Sequence, residues 1–281
     1  ADGQAFSGGG GWTRLSCPDG VTSIGGNGVY ECSGVTSITI PDSVTSIGGR
    51  AFYGCRGLTS ITVEEGNGVY HSVGNCLIET ESKTLILGSN NSVIPTDGSV
   101  TSIGDSAFSG CSGLTSIMIP DSVTSIGSRA FRGCSGLTSI TVEEGNGVYH
   151  SAGNCLIETE SKTLILGCKN SVIPTDGSVT SIGESAFYNC SGLTSITIPD
   201  SVTSIGSSAF YGCSGIIETE NGVSYVDDWA IDCDDSATSV QLREGTRGIA
   251  DSAFSWCSRL TSVTIPDSVT IIGDSAFEDC S

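Results

Sequence analysis

Residues 41–63 read PDSVTSIGGRAFYGCRGLTSITV, and much of the chain repeats this stretch with few changes. The block at 41–48 recurs unchanged at 120–127 and at 199–206, so its copies start 79 residues apart. A shorter repeat of 23 residues lies within these blocks, as from Val21 to Val44 and from Val100 to Val123. Self-similarity at such a period indicates a repeat array rather than an ordinary globular domain.

The apolar positions of the short repeat predict one coil of a solenoid. Leu58, Ile61 and Val63 form the pattern L-x-x-I-x-I, a short strand whose alternate side chains face opposite sides. Phe52 lies in a tight turn or a single helical turn, and Pro41 sets a corner. One coil cannot bury these side chains alone, so successive coils stack Phe over Phe and Ile over Ile. The sequence therefore predicts a mostly β solenoid with short parallel strands.

Three longer stretches interrupt the short repeats: the first long segment (64–99), the second long segment (143–178) and the divergent segment (216–248). In the first, apolar runs at 76–79 and 84–87 flank a polar turn at 80–83, which predicts a β-hairpin or a looser coil. Residues 1–20 are a partial first repeat, and 249–281 hold the last, truncated repeats. We expect a single solenoid over 1–281.

The motifs L-x-x-I-x-I-P, A-F-x-x-C and V-T-S-I-G together resemble the BspA-like, or treponemal-type, leucine-rich repeats over nearly the whole chain. This resemblance implies the leucine-rich-repeat fold, with a parallel sheet on the concave side. It also implies an extracellular or cell-surface location, as in surface proteins of bacteria and some protist parasites, some of which are adhesins. The family has no shared catalytic residues to transfer to this chain.

Charge and hydropathy exclude several classes of partner. The chain has 31 acidic and 11 basic residues and a net charge of −20, whereas nucleic-acid binding requires clustered Lys and Arg. Anionic membranes are disfavoured for the same reason. No apolar run reaches the ~18 residues needed to span a bilayer, so membrane insertion is not expected. The chain starts at Ala1 without a signal peptide, which is typical of a mature or trimmed end.

Eight of the 13 cysteines occupy the same position of the repeat and predict a buried, reduced ladder of thiols. Neighbouring coils place Cβ atoms about 4.8 Å apart, whereas a disulfide prefers ~3.8 Å. Cys168 replaces Ser89 of the earlier block and is the best candidate for a reactive thiol, although a surface or half-buried cysteine is the simpler interpretation. The ladder consists of Cys32, Cys55, Cys111, Cys134, Cys190, Cys213, Cys257 and Cys280; Cys17, Cys76, Cys155 and Cys233 lie elsewhere.

No set of residues predicts an enzyme. His71 and His150 are the two histidines, and each precedes a cysteine by five residues. A Cys–His nucleophile would need a third orienting group and a pocket. We interpret both as hydrogen-bonded surface histidines, and C-x-x-C metal spacing is absent from the sequence.

Two weaker site hypotheses concern calcium and glycans. Five aspartates crowd the divergent segment without the spacing of an EF-hand, so a solvated loop is favoured over a calcium site, and no other cofactor is expected. Asn90 and Asn189 begin formal glycosylation sequons, which matter only in a glycosylating source. The calcium candidates are Asp227, Asp228, Asp232, Asp234 and Asp235.

Both ends of the chain fall inside a repeat. Ala5 and Phe6 align with Ala107 and Phe108, and the last repeat stops just before its strand. Uncapped coils expose strand edges. The chain is therefore either a segment of a longer protein or a subunit whose ends stack on other copies. The candidate stacking residues are Ala5, Phe6, Trp12, Leu15, Ala276 and Phe277.

The leading functional hypothesis is a non-enzymatic extracellular scaffold for interaction or adhesion, which contacts proteins or glycans on a surface weakly and at many points. The alternative is a structural subunit of an extracellular filament or surface lattice, formed by end-to-end stacking. Ice or mineral binding is a minor alternative, which Met118 weakens. It would use the column Thr39, Thr62, Thr141, Thr197 and Thr264. Because most coils are nearly identical, we expect any unique site at 216–248.

Overall fold

A computed structural model describes residues 13–18 and 20–280, and within these ranges the backbone forms strands and turns but no helix. Stacked coils with parallel strands confirm the predicted β-solenoid, and tight turns take the place of the alternative single helical turns. Backbone contacts divide the chain into two compact units, residues 1–149 and 150–281. Each unit is described by itself, and the single solenoid over 1–281 stays a prediction.

Unit 1 is built from twelve short strands in the described residues. They are β1 (Arg14–Ser16), β2 (Ser23–Ile24), β3 (Ser37–Ile40), β4 (Ser46–Ile47), β5 (Ser60–Val63), β6 (Tyr70–Val73), β7 (Cys76–Glu79), β8 (Thr84–Leu87), β9 (Ser102–Ile103), β10 (Ser116–Ile119), β11 (Ser125–Ile126) and β12 (Ser139–Val142).

The L-x-x-I-x-I strands pair in parallel, coil against coil. β1, β3 and β5 form one sheet, in which Ile38 lies opposite Ile61 and Thr39 opposite Thr62. β10 and β12 pair in the same way. Partners are 23 residues apart, so the repeat length itself sets the register. The isoleucines face the core, since Ile38 and Ile61 are both buried.

Side chains as well as backbone link successive coils. Phe108 stacks on Phe131 with ring centroids 5.2 Å apart, as the repeat predicted. Threonine hydroxyls extend the backbone ladder: Thr59 donates to the carbonyl of Thr36 at 3.1 Å, and Thr138 to that of Thr115 at 3.0 Å. Each of these coils carries the same threonine. Its hydroxyl donates to the carbonyl of the preceding coil, and its own carbonyl can accept the hydroxyl of the next coil.

The first long segment forms a three-stranded antiparallel meander. β6 pairs with β7 and β7 with β8, and the polar residues 80–83 make the turn between β7 and β8. This confirms the predicted hairpin and adds a strand to it. β8 then pairs in parallel with β9, and β9 with β11, so the meander rejoins the stack.

Unit 2 repeats this plan. Its strands, the first of which begins at the last residue of unit 1, are β13 (Tyr149–Ala152), β14 (Cys155–Glu158), β15 (Thr163–Leu166), β16 (Ser181–Ile182), β17 (Ser204–Ile205), β18 (Glu218–Glu220), β19 (Val223–Val226), β20 (Trp229–Cys233), β21 (Ser239–Gln241), β22 (Gly248–Ile249), β23 (Ser262–Thr264) and β24 (Ile271–Ile272). Two mixed sheets follow the orders β13-β14-β15-β16-β17 and β18-β19-β20-β22-β24, and β21 pairs with β23.

The divergent segment is a shortened version of the long segments. β18, β19 and β20 form an antiparallel meander, and β20 pairs in parallel with β22. Val202 and Thr246 are 44 residues apart, whereas Val44 and Val100, at the corresponding positions, are 56 apart. The chain passes from Ile216 almost directly into β18 and omits the parallel strand that β5 supplies in unit 1.

This omission also removes a strand that the L-x-x-I-x-I pattern would otherwise predict. Leu193, Ile196 and Ile198 carry the L-x-x-I-x-I pattern, yet residues 195–198 form no strand. The physical reason is that the next coil offers no strand to pair with them. The backbone N–H of Ile198 instead donates to the carboxylate of Asp227 at 2.8 Å.

A polar side chain closes the corner wherever a short coil precedes a meander. Between ordinary coils, the serine of the next coil bonds this corner: Ser43 Oγ donates to the carbonyl of Val21 at 2.9 Å. Before the first meander, Asn67 Nδ2 donates to the carbonyls of Pro41 and Val44 at 2.8 and 3.0 Å. Its Oδ1 accepts the N–H groups of residues 69 and 70.

Asn146 makes the same four bonds to the corner at Pro120 and Val123 and to residues 148 and 149. The recurrence of this bonding shows that the asparagine is a fixed part of the long segment. We call it the corner asparagine.

Replacing Asn67 with alanine is expected to lower the free energy of unfolding of unit 1 by about 1–2 kcal/mol, because two carbonyls and two N–H groups lose their partners. Urea denaturation followed by circular dichroism measures the loss. Asn91→Ala is the control, since that side chain is exposed. Equal stability of the two variants would contradict the role of the corner asparagine.

Candidate functional site

The parallel sheets present a face of short hydroxyl side chains. In β3 and β5, buried isoleucines alternate with Ser37, Thr39, Ser60 and Thr62, which point outward and are half-buried or exposed. In unit 2, β21 and β23 place Ser239, Gln241, Ser262 and Thr264 outward, all of them exposed. We call these two surfaces the hydroxyl faces. They offer donors and acceptors at a regular spacing and carry no charge of their own.

The histidines are placed as the sequence indicated. His71 Nδ1 lies 2.9 Å from Thr80 Oγ1, across the β6–β7 hairpin. His150 makes the same contact with Thr159, also at 2.9 Å. Both bonds are exposed, and each histidine faces a threonine of its own hairpin rather than a cysteine.

The ladder cysteines hold adjacent coils together through weak hydrogen bonds. Cys55 Sγ donates to the carbonyl of Val29 at 3.2 Å, and Cys134 Sγ to that of Phe108, also at 3.2 Å. In unit 2, Cys213 Sγ donates to the carbonyl of Phe187 at 3.0 Å. A thiol suits this position because it is small and apolar and yet reaches a buried carbonyl.

The prediction that the ladder is buried and reduced is confirmed for six of its eight members; Cys32 and Cys280 are half-buried, and all eight thiols are free. Burial raises the pKa of Cys55, Cys111 and Cys190 to about 12. The expectation of a surface or half-buried Cys168 was wrong, because its side chain is fully buried. It packs beside Ser171, whose hydroxyl accepts the N–H of Cys168 at 2.8 Å.

Thiol chemistry tests this arrangement. Of the 13 cysteines, ten are buried and Cys17, Cys32 and Cys280 are half-buried. Because the thiolate is the nucleophile, raised pKa values and burial both slow the reaction. With a disulfide reagent at pH 8, we expect at most three thiols in the fast phase and all 13 after denaturation in guanidinium. More than three fast thiols in the folded protein would contradict the buried ladder.

Four of the five calcium candidates bond to different partners within the protein. Asp227 accepts the N–H of Ile198, and Asp228 pairs with Arg247 at 2.8 Å. Asp232 accepts the N–H of Cys233 at 3.0 Å, and Asp234 accepts the N–H and hydroxyl of Ser236. Within residues 13–18 and 20–280, no three His, Cys, Asp or Glu side chains are grouped so as to hold a metal ion. The solvated loop stays the prediction for these aspartates, with a calcium site as the untested alternative.

Arg247 performs the task of the corner asparagine in the divergent segment. Its guanidinium donates to the carbonyls of Pro199 at 3.3 Å and Val202 at 3.5 Å, the counterparts of Pro41 and Val44. It also donates to the carbonyl of Ile198 at 3.2 Å and forms a forked pair with Asp228. A long cationic side chain thus spans the gap that the omitted strand leaves.

A cavity of about 350 Å³ opens beside the divergent segment in unit 2. Its walls come from residues 205–212 of one short coil, residues 250–252 of the next, and the meander between them. Ile217 and Ile231 supply apolar surface, while Asp232 and Asp251 supply carboxylates. Tyr211 stands at its edge, 55% exposed and stacked on Tyr188 at 5.0 Å. The sequence pointed to this segment as the place for a unique site.

Unit 1 contains a corresponding cavity of about 200 Å³, with different chemistry. Leu85 pairs with Ile103 in unit 1, and Ala230 pairs with Ile249 at the equivalent point of unit 2. Two residues further on, Leu87 in unit 1 corresponds to Asp232. Arg50 lines the first cavity, and Ser208 holds the equivalent position of the second. The divergent segment has therefore gained a carboxylate, and the adjoining coil holds a serine where the first cavity has a cation.

The cavity environment alters both carboxylates. Partial desolvation is the main cause that raises the pKa of Asp232, whose side chain is still exposed, and the nearby Asp235 adds to it. Burial likewise raises the pKa of Asp251, with a contribution from Asp274. Sequence reasoning treated Asp232 only as one of five loop aspartates. Aligning the divergent segment with the long segments, where Leu87 and Leu166 occupy this position, would have singled it out.

Other predicted positions are only partly within the described residues. Ala5, Phe6 and Trp12 lie outside them, while Leu15 and Ala276 are buried and Phe277 is half-buried. Asn90 donates through Nδ2 to the carbonyl of Arg56 at 2.8 Å, and Asn189 is half-buried. The stacking and glycosylation hypotheses stay predictions.

The pattern that defines the BspA type leucine rich repeat region matches the chain in six copies, over residues 2–97, 88–166 and 166–281. The chain therefore belongs to the BspA-type leucine-rich repeat family. No curated protein sequence matches it.

Several solved structures are similar to the chain. A leucine rich cell surface protein from Faecalibacterium prausnitzii is 26% identical with a TM-score of 0.47, over 96% of this chain and 86% of that one. A leucine-rich repeat protein from Eubacterium ventriosum is 22% identical with a TM-score of 0.46, over 95% and 82%. The pneumococcal vaccine antigen PcpA is 17% identical with a TM-score of 0.43, over 95% and 66%.

The described residues include no helix long and apolar enough to cross a membrane.

Proposed function

We propose that the chain is a non-enzymatic repeat scaffold, located outside the cell or on its surface, that binds proteins or glycans. The observation that carries this proposal is the pair of hydroxyl faces, where serine and threonine side chains recur in register on paired parallel strands. Short hydroxyl side chains lose little conformational entropy when they are immobilised, and each both donates and accepts. Repetition of the same groups favours many weak contacts over one selective pocket.

Family membership and charge support the same proposal. Leucine-rich repeats form extended binding surfaces, and one similar solved structure is that of a bacterial cell surface protein. The net charge of −20 favours neutral or basic partners over nucleic acids. Among the described residues, both histidines bond to threonines, and ladder thiols such as those of Cys55, Cys134 and Cys213 bond to backbone carbonyls rather than to a base.

The experiment is a surface-binding assay of the 281-residue chain against purified matrix proteins and neutral oligosaccharides. We expect at least one partner to bind with fast dissociation, and Thr39→Lys with Thr62→Lys to weaken that binding at least tenfold. The matched control is Asn91→Lys with Ser112→Lys, which adds the same charge at exposed positions outside the sheet. Equal loss in both variants, or turnover of a ligand, would overturn the proposal.

The alternative, end-to-end assembly into a filament or lattice, draws on exposed apolar side chains near the last coil. Ile265 and Ile272 are exposed to 39% and 56%. Sedimentation velocity and electron microscopy distinguish the two functions. Filaments with contacts between residues 1–20 and 260–281 favour assembly, and dispersed monomers at high concentration contradict it.

A further inference from the structure

The cavity beside the divergent segment has the features of a pocket for one particular side-chain chemistry. Its lining combines apolar and acidic side chains: Ile217 directly precedes β18, Ile231 and Asp232 lie in β20, and Asp251 follows β22. None of its lining residues is a lysine or arginine. Ligand pockets typically combine apolar walls with a few polar groups that fix orientation.

Comparison with unit 1 shows that these features are not a by-product of the fold. The same backbone arrangement in unit 1 gives a smaller cavity, with Leu87 in place of Asp232 and with both Arg50 and Asp105 in its lining. In unit 2 the cavity is wider and its carboxylates have no basic side chain among the lining residues. The side chain of Asp232 stays accessible from the cavity.

We propose that this cavity binds an alkylammonium group, as carried by a lysine side chain of a partner protein. The methylene stem lies against Ile217 and Ile231, and the ammonium group lies beside Asp232 and Asp251. The stem needs apolar contact and the head needs acceptors, which is how lysine divides its side chain at protein surfaces. This inference rests on the proposed binding function and names the chemistry of one contact.

Charge and size both favour this ligand over others. Two carboxylates without a basic neighbour attract a cation, and the field of a chain with 31 acidic and 11 basic residues adds to the attraction. An anionic ligand would meet repulsion. A guanidinium group is planar and rigid, whereas the flexible stem and compact charge of an alkylammonium group match a cavity that combines apolar side chains with carboxylates.

The test titrates the 281-residue chain with a blocked Gly-Lys-Gly peptide and follows the peptide by saturation-transfer NMR. A blocked Gly-norleucine-Gly peptide keeps the stem and removes the charge. Free 1,5-diaminopentane provides the same ammonium group without a peptide. We expect saturation transfer to the lysine peptide that weakens with added salt, and at least tenfold weaker transfer to the norleucine peptide.

Asp232→Leu is the decisive variant, because leucine occupies the equivalent position in the first two long segments and the fold accommodates it. We expect this variant to keep its circular dichroism spectrum and melting temperature and to lose at least tenfold in affinity for the lysine peptide. Asp235→Asn, an exposed acid outside the cavity lining, is expected to bind as the wild type does.

Three results would overturn the inference: equal binding of the norleucine peptide, unchanged binding by Asp232→Leu, or an equal loss in Asp235→Asn. If the diamine binds and the lysine peptide does not, the assignment to a protein partner is overturned. Binding of matrix proteins with no response to the lysine peptide would overturn the cavity's role and leave the scaffold function standing.

Discussion

Replacing Arg247 with alanine is expected to destabilise unit 2 by about 2–4 kcal/mol, because removing one partner of a fully buried ion pair costs about 3–5 kcal/mol and the Asp228 side chain here is 33% exposed. The Arg247 side chain is only 18% exposed. Its loss leaves the carboxylate of Asp228 and the carbonyls of Ile198, Pro199 and Val202 without their donor. No neighbouring coil can replace it, because the divergent segment omits the strand that would cover this corner.

Urea denaturation followed by tryptophan fluorescence measures this effect, since Trp229 is buried with the guanidinium of Arg247 5.6 Å from its ring centroid. Arg247→Lys keeps the charge but loses the fork, so an intermediate loss is expected. Arg259→Ala removes an exposed arginine of the same unit and is expected to change stability by no more than about 0.5 kcal/mol. A loss below 1 kcal/mol for Arg247→Ala would show that the corner does not depend on this side chain.

Replacing Gly88 with alanine is expected to destabilise unit 1 by about 2–3 kcal/mol, in the upper part of the range for overpacking a core. A Cβ atom at Gly88 would lie 2.0 Å from Cε1 of Phe108. The ring has little room to move, because Phe108 is fully buried and stacked on Phe131. The backbone of the first long segment would therefore have to shift away from the stack.

The matched control is Gly68→Ala in the same segment, where an added Cβ meets nothing within 4 Å. That variant is expected to retain or slightly gain stability. The double variant Gly88→Ala with Phe108→Leu provides a second check. If the clash with the ring causes the loss, the smaller side chain relieves it, and the two effects are less than additive. Strict additivity would contradict the explanation.

The corner that Arg247 bonds and the proposed binding chemistry of unit 2 both lie at the divergent segment. By omitting a strand, it requires Arg247 at the corner and leaves a wider space between two coils. Asp232 occupies a position that holds leucine in the long segments, and its exposed carboxylate lines that space. The hydroxyl face of β3 and β5, by contrast, comes from the regular repeats. We infer that regular coils provide repeated weak contacts and that the divergent segment provides the distinctive one.

Local periodicity determined most of the fold. The 23-residue repeat, the L-x-x-I-x-I strands and the position of Phe52 predicted parallel strands, stacked rings and a core of inward isoleucines. The polar turn at 80–83 predicted the hairpin that β7 and β8 form. These predictions succeeded because each coil contacts a near copy of itself, so that one repeat specifies both sides of every contact.

Tertiary structure alone decided what happens where a coil meets a different neighbour. Residues 193–198 carry a strand pattern, but a strand needs a partner, and the divergent segment supplies none. Cys168 is buried because its loop folds against Ser171, which spacing along the chain does not reveal. Arg247 bonds the carbonyls of Pro199 and Val202, 45 or more residues away. Hydrogen bonds and desolvation depend on which groups the fold brings together. The repeat sequence therefore specifies the structure of a single coil, whereas the neighbouring coils determine the bonding at the corner and the chemistry of the cavity.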